Sequence, residues 1–305
     1  MSFIKPMQGS PESSLTPLFL IHAVSGLANP YSRLGPLTKP SFAISQDEER
    51  MVYGISSPLY THHGSFKAPR TLEAMARLYV NAIRKKQPYG PYLLGGWSMG
   101  GMLAVKMAAI LMGEHGEQVL KVVVIDGANP EKLPPMSGEE QNVMGDEIFA
   151  RNLAFAGGNS GKTRARSLAV PSSGDSATSS DSEASTHASS PLETLLLKIR
   201  SHIALGLELM SCVEQGSWVQ VGDPLKTKMT LVKCVDEAYL EDGQFGDKGV
   251  GVRTLMAEEC MGWNADCFDS LEVIKLIGPT HDTCFEEKFV GKLTDILAEC
   301  LIGVH

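Results

Sequence analysis

The stretch GGWSMGG, residues 95–101, concentrates four glycines around one serine. The run Pro91–Leu94 before it is short and apolar, which indicates a β-strand, and residues 102–111 after it are rich in Ala, Leu and Met, which predicts an α-helix. Ser98 and its flanking glycines therefore fit G-x-S-x-G at a strand-to-helix turn. In such a turn the serine backbone is strained and its hydroxyl lies above the sheet. We predict that Ser98 is a nucleophile.

The remaining chain alternates predicted strands and helices. Apolar runs predict strands at Leu15–His22, Met51–Ile55, Pro91–Gly96, Leu120–Ile125, Lys228–Val235 and Leu271–Ile277. Helical spacing predicts helices over residues 71–86 and 285–301. Near-continuous apolar strands that alternate with helices favour a mostly parallel sheet with helices on both faces. We predict the α/β class and the α/β-hydrolase fold for residues 15–305, after a flexible N-terminus, residues 1–14.

The alternation is interrupted between Asp126 and Lys228. Nine of the residues from 172 to 190 are serine, a composition that cannot bury enough apolar surface to offset the entropy of ordering. We expect a disordered serine-rich loop at about residues 157–191. The segments on either side, Gly145–Phe155 and Leu192–Met210, have helical spacing. Two helices joined by a disordered loop suggest a lid over a site; a surface insertion without a role is the alternative.

Composition excludes several classes of function. The net charge of −8 gives no reason to expect nucleic acid or an anionic membrane surface as a partner. No apolar run approaches the length of a membrane span, and residues 1–14 contain no signal sequence. The six cysteines form no C-x-x-C pair, so we expect no metal and read them as reduced thiols of a cytoplasmic protein.

A serine hydroxyl needs a base, and His281 is the best placed of the eight histidines. It follows the last predicted strand directly, where the order Ser…Asp…His puts the base. His22 ends the first strand, and we expect it to position the loop that follows. Two carboxylates compete to orient His281, because Asp126 and Asp236 both follow predicted strands. Position alone slightly favours Asp236.

An acyl-transfer site also needs two amides to stabilise the oxyanion. Met99 supplies one of them, because it follows the nucleophile at the start of the helix. The loop after the first strand, residues 22–26, is expected to supply the other. Trp97 either packs beneath the turn or lines the path of the acyl chain.

Four pieces of the chain resemble the thioesterase domains that release products from polyketide and nonribosomal peptide synthases. They are PLFLIHAVSG, YVNAIRKKQPYGPYLLGGWSMGG, VVVIDGANP and IGPTHDTCF, although the last has Pro279 and Thr280 where the family often has Gly-x before its histidine. The resemblance implies that Asp126 is the acid, that about residues 131–225 are the lid, and that Ala23 or Val24 supplies the second amide.

The same resemblance implies a reaction. Ser98 is expected to attack an acyl thioester on the phosphopantetheine of an acyl or peptidyl carrier protein, and water or a nucleophile of the chain then releases an acid, lactone or lactam. No metal or redox cofactor is needed. The chain starts at Met1 and contains no synthase module, so we expect a free-standing thioesterase, with an excised terminal domain of a synthase as the alternative. An esterase or lipase acting on oxygen esters, or a catalytically idle binding module, are the alternatives.

Overall fold

The structure, a computed structural model, describes residues 2–38, 49–61, 66–157, 190–236 and 250–304. Within these ranges the strands are β1 (Ile4–Gln8), β2 (Leu18–Ile21), β3 (Val52–Ile55), β4 (Tyr92–Trp97), β5 (Val119–Ile125), β6 (Leu225–Val235) and β7 (Phe268–Ile277). The α-helices are α1 (Leu72–Lys86), α2 (Met99–His115), α3 (Gly138–Gly157), α4 (Pro191–Ser211), α5 (Val250–Ala257) and α6 (Glu287–Cys300).

The strands form one sheet in the order β1-β3-β2-β4-β5-β6-β7. All neighbouring pairs are parallel except β1 and β3, which are antiparallel. Alternate residues of β2 enter different cores: Phe19 and Ile21 pack with α1 and α2, whereas Leu18 and Leu20 pack with α6. Helices therefore cover both faces of a mostly parallel sheet, which confirms the predicted fold class.

The N-terminus differs from the prediction. Residues 1–14 were expected to be flexible, but Ile4–Gln8 is an edge strand that pairs with β3, and Ile4 is buried. Pro6, which has no amide donor, lies within this strand. An edge strand tolerates proline, since only one of its sides needs to be paired. The Gln8 side chain also fixes this segment through hydrogen bonds to Gly35 and Leu37.

Two helices, α3 and α4, lie where helical spacing predicted them, in the insertion between β5 and β6. They pack against each other, and Arg200 of α4 forms an ion pair with Asp146 of α3. The serine-rich loop predicted between them, at about residues 157–191, falls almost entirely outside the described residues. All six cysteines are free. No helix in the described part of the chain combines the length and apolarity needed to cross a membrane.

Helix α2 begins unusually close to the sheet. A Cβ atom added to Gly100 would lie 2.1 Å from the carbonyl oxygen of Ile21 in β2, and one added to Gly96 would lie 2.4 Å from the Gly100 carbonyl carbon. Both distances are too short for any side chain, so glycine is required at both positions. The two glycines thus allow α2 to start directly above the end of β4, with Ser98 at the junction.

This close approach predicts opposite effects for two substitutions in one helix. Gly100→Ala should lower the free energy of unfolding by about 1–3 kcal/mol, because the new methyl group forces α2 away from β2. Gly113→Ala, where a Cβ meets nothing within 4 Å, should instead raise it by about 0.5–1 kcal/mol. Urea denaturation of both variants measures the difference. Equal stability of the two variants would contradict the packing described here.

Candidate active site

Ser98 occupies the turn between β4 and α2. Its backbone has φ 58° and ψ −128°, a conformation that non-glycine residues rarely adopt. The Ser98 amide donates to the carbonyl oxygen of Ile125 at 2.9 Å, and the Ser98 carbonyl accepts from the Gly101 amide at 3.0 Å. These bonds fix the strained turn to β5 on one side and to α2 on the other.

Asp126 and His281 form a hydrogen-bonded pair. Asp126 follows β5 directly and is 2% exposed, and its Oδ2 accepts from His281 Nδ1 at 2.8 Å. Its other oxygen, Oδ1, accepts from the Cys234 amide at the end of β6, also at 2.8 Å. A carboxylate accepts hydrogen bonds, so the His281 proton lies on Nδ1 and Nε2 is the nitrogen left to act as a base.

The pKa of His281 reflects opposing effects. Burial lowers it, but the hydrogen bond and charge of Asp126, together with Asp282 and Cys284, raise the His281 pKa to about 9. The carboxylate of Asp282 also forms an ion pair with Arg151 of α3. The centroid of the Trp97 ring lies 5.3 Å from that of the His281 ring, and the Trp97 ring also packs against the ring of Phe285.

A cavity of about 330 Å³ brings the predicted residues together. Ser98, Asp126 and His281 all line it, as do Ala23 and Val24. Its wall is mainly apolar and includes Met102, Leu133, Met144, Ile148, Leu207 and Met210. Helices α3 and α4 of the insertion contribute several of these side chains.

Among the described residues the Ser98 hydroxyl makes no hydrogen bond, so its contact with His281 is not formed in this structure. Hydrogen bonds between catalytic groups often tighten only when substrate binds.

The loop after β2 holds the two residues considered for the second amide. The Ala23 carbonyl accepts from His22 Nδ1 at 2.7 Å, and His22 Nε2 lies 2.5 Å from the Tyr79 hydroxyl. Burial, and next the proximity of His202, lower the His22 pKa to about 3, although the bond to Ala23 opposes this. His22 is therefore neutral and holds the loop, in agreement with the role expected for it. Met99 is the first residue of α2, where backbone amides have no partner within the helix.

The structure bears on two choices that the sequence left open, the carboxylate that bonds to His281 and the position of Trp97. Asp236 lines the same cavity, but the carboxylate bonded to His281 is that of Asp126. Trp97 lines the cavity, as one of its two alternatives requires, and its ring contacts that of His281. Sequence reasoning missed His202 of α4, which donates from Nδ1 to the Val24 carbonyl at 2.9 Å. No local pattern marks this contact, because 178 residues separate its partners.

Comparisons with known proteins identify the family of this chain. Residues 16–165 match the thioesterase domain family. The chain is 35% identical to the thioesterase pytI of Aspergillus terreus, over 97% of each chain. The chain belongs to the thioesterase family. A non-reducing polyketide synthase, PKS12 of Gibberella zeae, is 39% identical over 46% of this chain and 7% of its own length.

The solved structures agree on the fold. The thioesterase domain of NocB, from the nocardicin cluster, superposes with a TM-score of 0.62 at 21% identity, over 98% of this chain and all of that domain. The full-length relatives, rather than this fold likeness, show that the protein is an enzyme of the hydrolase class, a thioesterase. The predicted family and enzyme class are confirmed.

The raised pKa of His281 predicts the pH dependence of activity. A protonated imidazole cannot accept the Ser98 proton, so kcat/KM should fall with decreasing pH, with a midpoint well above 6.5 and near 9. Asp282→Asn removes one charge that raises this pKa and should move the midpoint to lower pH. Measurement of kcat/KM from pH 5 to pH 10 tests both statements. A wild-type midpoint at or below 6.5, or one that Asp282→Asn leaves in place, would contradict them.

Proposed function

We propose that Ser98, His281 and Asp126 form a catalytic triad that cleaves acyl thioesters through an acyl-enzyme. The observation that carries the proposal is the Asp126–His281 hydrogen bond, 2.8 Å long, in the cavity that Ser98 also lines. Asp126 keeps the imidazole in the tautomer with Nδ1 protonated. His281 Nε2 accepts the Ser98 proton as Ser98 Oγ bonds to the acyl carbon.

The remaining steps follow from the same three groups. The carbonyl oxygen becomes an oxyanion, stabilised by the amide of Met99 and that of Ala23 or Val24. Collapse of the tetrahedral intermediate breaks the carbon–sulfur bond, and the thiol leaves with the proton from His281. Water, or a hydroxyl or amine of the acyl chain, then gives a proton to His281 and attacks the ester carbon. The bond between that carbon and Ser98 Oγ breaks, and His281 returns the proton to Ser98. The product is an acid, a lactone or a lactam.

The proposed substrate is an acyl, polyketide or peptidyl chain on the phosphopantetheine of a carrier protein. The largely apolar wall of the cavity suits a carbon chain, and a relative is a polyketide synthase. The pantetheine thiol is then the leaving group. The chemistry uses only side chains and backbone amides of this protein, so the proposal requires no metal or redox cofactor.

We further propose that about residues 131–225 act as a lid within the hydrolase domain of residues 15–305. Helices α3 and α4 support this, because Met144 and Ile148 of one and Leu207 and Met210 of the other line the cavity. A wall that excludes water would favour attack by the chain itself over hydrolysis. The ion pair of Arg151 with Asp282 links α3 to the loop that carries His281.

A substrate panel tests the reaction class. We expect acyl-pantetheine thioesters to be cleaved with higher kcat/KM than p-nitrophenyl esters of the same acyl chain. A fluorophosphonate should label the wild-type protein and not Ser98→Ala; the NocB thioesterase domain has been captured in a covalent complex with such a compound. A strong preference for oxygen esters would favour an esterase. Absence of labelling of the wild-type protein at neutral pH would favour a binding module without catalytic activity.

The acid is tested by two matched variants. Asp126→Asn should lower kcat by about 10⁴-fold, because the amide stabilises the wrong tautomer of His281. Asp236→Asn changes a carboxylate in the same cavity that is not bonded to His281, and should leave kcat close to the wild-type value. Steady-state kinetics with one thioester compares them. The reverse ranking would assign the acid to Asp236.

A further inference from the structure

In the loop after β2, the backbone carbonyls of four consecutive residues, 23–26, each accept a hydrogen bond. The Ala23 carbonyl accepts from His22 Nδ1 at 2.7 Å, and the Val24 carbonyl accepts from His202 Nδ1 at 2.9 Å. The Ser25 carbonyl accepts from the Tyr60 hydroxyl at 2.5 Å, and the Gly26 carbonyl accepts from the Ser57 amide at 2.7 Å. Three of these donors belong to the loop itself or to the segment that follows β3. The donor to Val24 comes instead from α4, in the insertion.

The orientation of these carbonyls sets the orientation of the amides. The C=O and N–H of a trans peptide point in opposite directions across its plane. When His22 binds the Ala23 carbonyl, the Val24 amide is turned away from His22, and when His202 binds the Val24 carbonyl, the Ser25 amide is turned away from His202. The two peptide groups that flank Val24 are therefore both held: His22 of the loop binds the one before it, and His202 of the insertion helix binds the one after it.

Packing brings α4 against the same loop. A Cβ on Gly26 would lie 2.7 Å from His202 Cγ, and one on Gly206, one helical turn after His202, would lie 2.7 Å from Val24 Cγ2 and 3.1 Å from Met99 Sδ. The glycines at these two positions let α4 contact both elements that are proposed to supply oxyanion amides. His202 is 1% exposed, and its ring packs edge-on against that of His22 at 5.0 Å.

The protonation state of His202 suits a donor. Burial lowers the His202 pKa, although its bond to the Val24 carbonyl opposes this, so the ring is neutral at pH 7. A carbonyl oxygen only accepts, which places the single ring proton on Nδ1. His202 Nε2 has no hydrogen-bond partner among the described residues. The bond to Val24 is thus the one polar contact recorded for this ring in the described part of the chain.

We propose that His202 is a positioning residue for the oxyanion hole, and that it couples the seating of insertion helix α4 to the catalytic step. The inference rests on the proposed function and takes Val24, of the two candidates Ala23 and Val24, as the residue whose amide serves as an oxyanion donor. His202 does not touch the reacting atoms. It holds the peptide group after Val24, as His22 holds the one before it, and the two bonds together fix the backbone of Val24 and hence the direction of its amide.

Four variants test the role of the bond. His202→Ala removes the donor and the ring, whereas His202→Leu fills part of the space without a donor. His202→Asn is the conservative variant, because its side-chain nitrogen lies the same number of bonds from Cα as Nδ1. Arg200→Ala is the matched control on the same helix: it breaks the exposed ion pair with Asp146 and leaves the loop untouched.

We expect His202→Ala and His202→Leu to lower kcat for an acyl-pantetheine thioester by about 10²-fold with little change in KM, the cost of a misplaced catalytic group. The rate of fluorophosphonate labelling at Ser98 should fall in parallel, because the phosphonyl oxygen occupies the oxyanion hole. His202→Asn should recover most of both rates, and Arg200→Ala should match the wild type. Thermal melting of each variant reports whether the fold is retained.

Several outcomes would overturn the inference. Equal losses in the Asn and Leu variants would show that His202 acts through packing alone, and this comparison decides the matter even if His202→Ala does not fold. A loss in Arg200→Ala as large as that in His202→Leu would indicate general loosening of α4. Wild-type kcat in His202→Leu, with Ser98→Ala inactive, would remove the inference and leave the proposed function intact. Activity retained in Ser98→Ala would instead remove the proposed function.

Discussion

The buried carboxylate of Asp126 is the interaction on which the site depends. Asp126 is 2% exposed, and a carboxylate buried to this extent needs hydrogen bonds to both of its oxygens to offset the loss of water. One oxygen accepts from the Cys234 amide at the end of β6, and the other accepts from His281 on the loop after β7. The Asp126 amide adds a bond to the Val232 carbonyl. One side chain thus ties together the carboxyl ends of three adjacent strands, at the edge where Ser98 lies.

Much of this arrangement is predictable because its signals are local. Glycines at 96 and 100 flank a serine between a strand and a helix, and His281 directly follows the last strand, so parallel topology alone brings Ser98 and His281 to one edge. The choice between Asp126 and Asp236 is not local. Both follow strands, and β5 and β6 are neighbours in the sheet, so both reach the cavity. Only the three-dimensional contact to His281 distinguishes them, and before the structure only the resemblance favoured Asp126.

Other features depend on contacts between distant segments and leave no pattern in the sequence. Ile4–Gln8 is polar in part and contains a proline, so its pairing with β3 is visible only once β3 is known to lie next to the edge of the sheet. His202 shows helical spacing like its neighbours, and nothing in that spacing marks it as a donor to Val24. The insertion was recognised by composition, yet its contact with the loop after β2 required the packed helix. Helices α3 and α4 contribute part of the wall of the cavity, and α4 also contributes a hydrogen bond that holds the loop.

The proposed mechanism requires that the acyl group be transferred to Ser98 before it is released. Intact-mass spectrometry, after rapid acid quenching of the protein mixed with a carrier-bound acyl thioester, measures this step directly. We expect a mass increase equal to that of the acyl group, which peptide analysis maps to Ser98 and which is absent in Ser98→Ala. Turnover of the thioester with no acylated protein at any time, or an acyl group located on another residue, would contradict it.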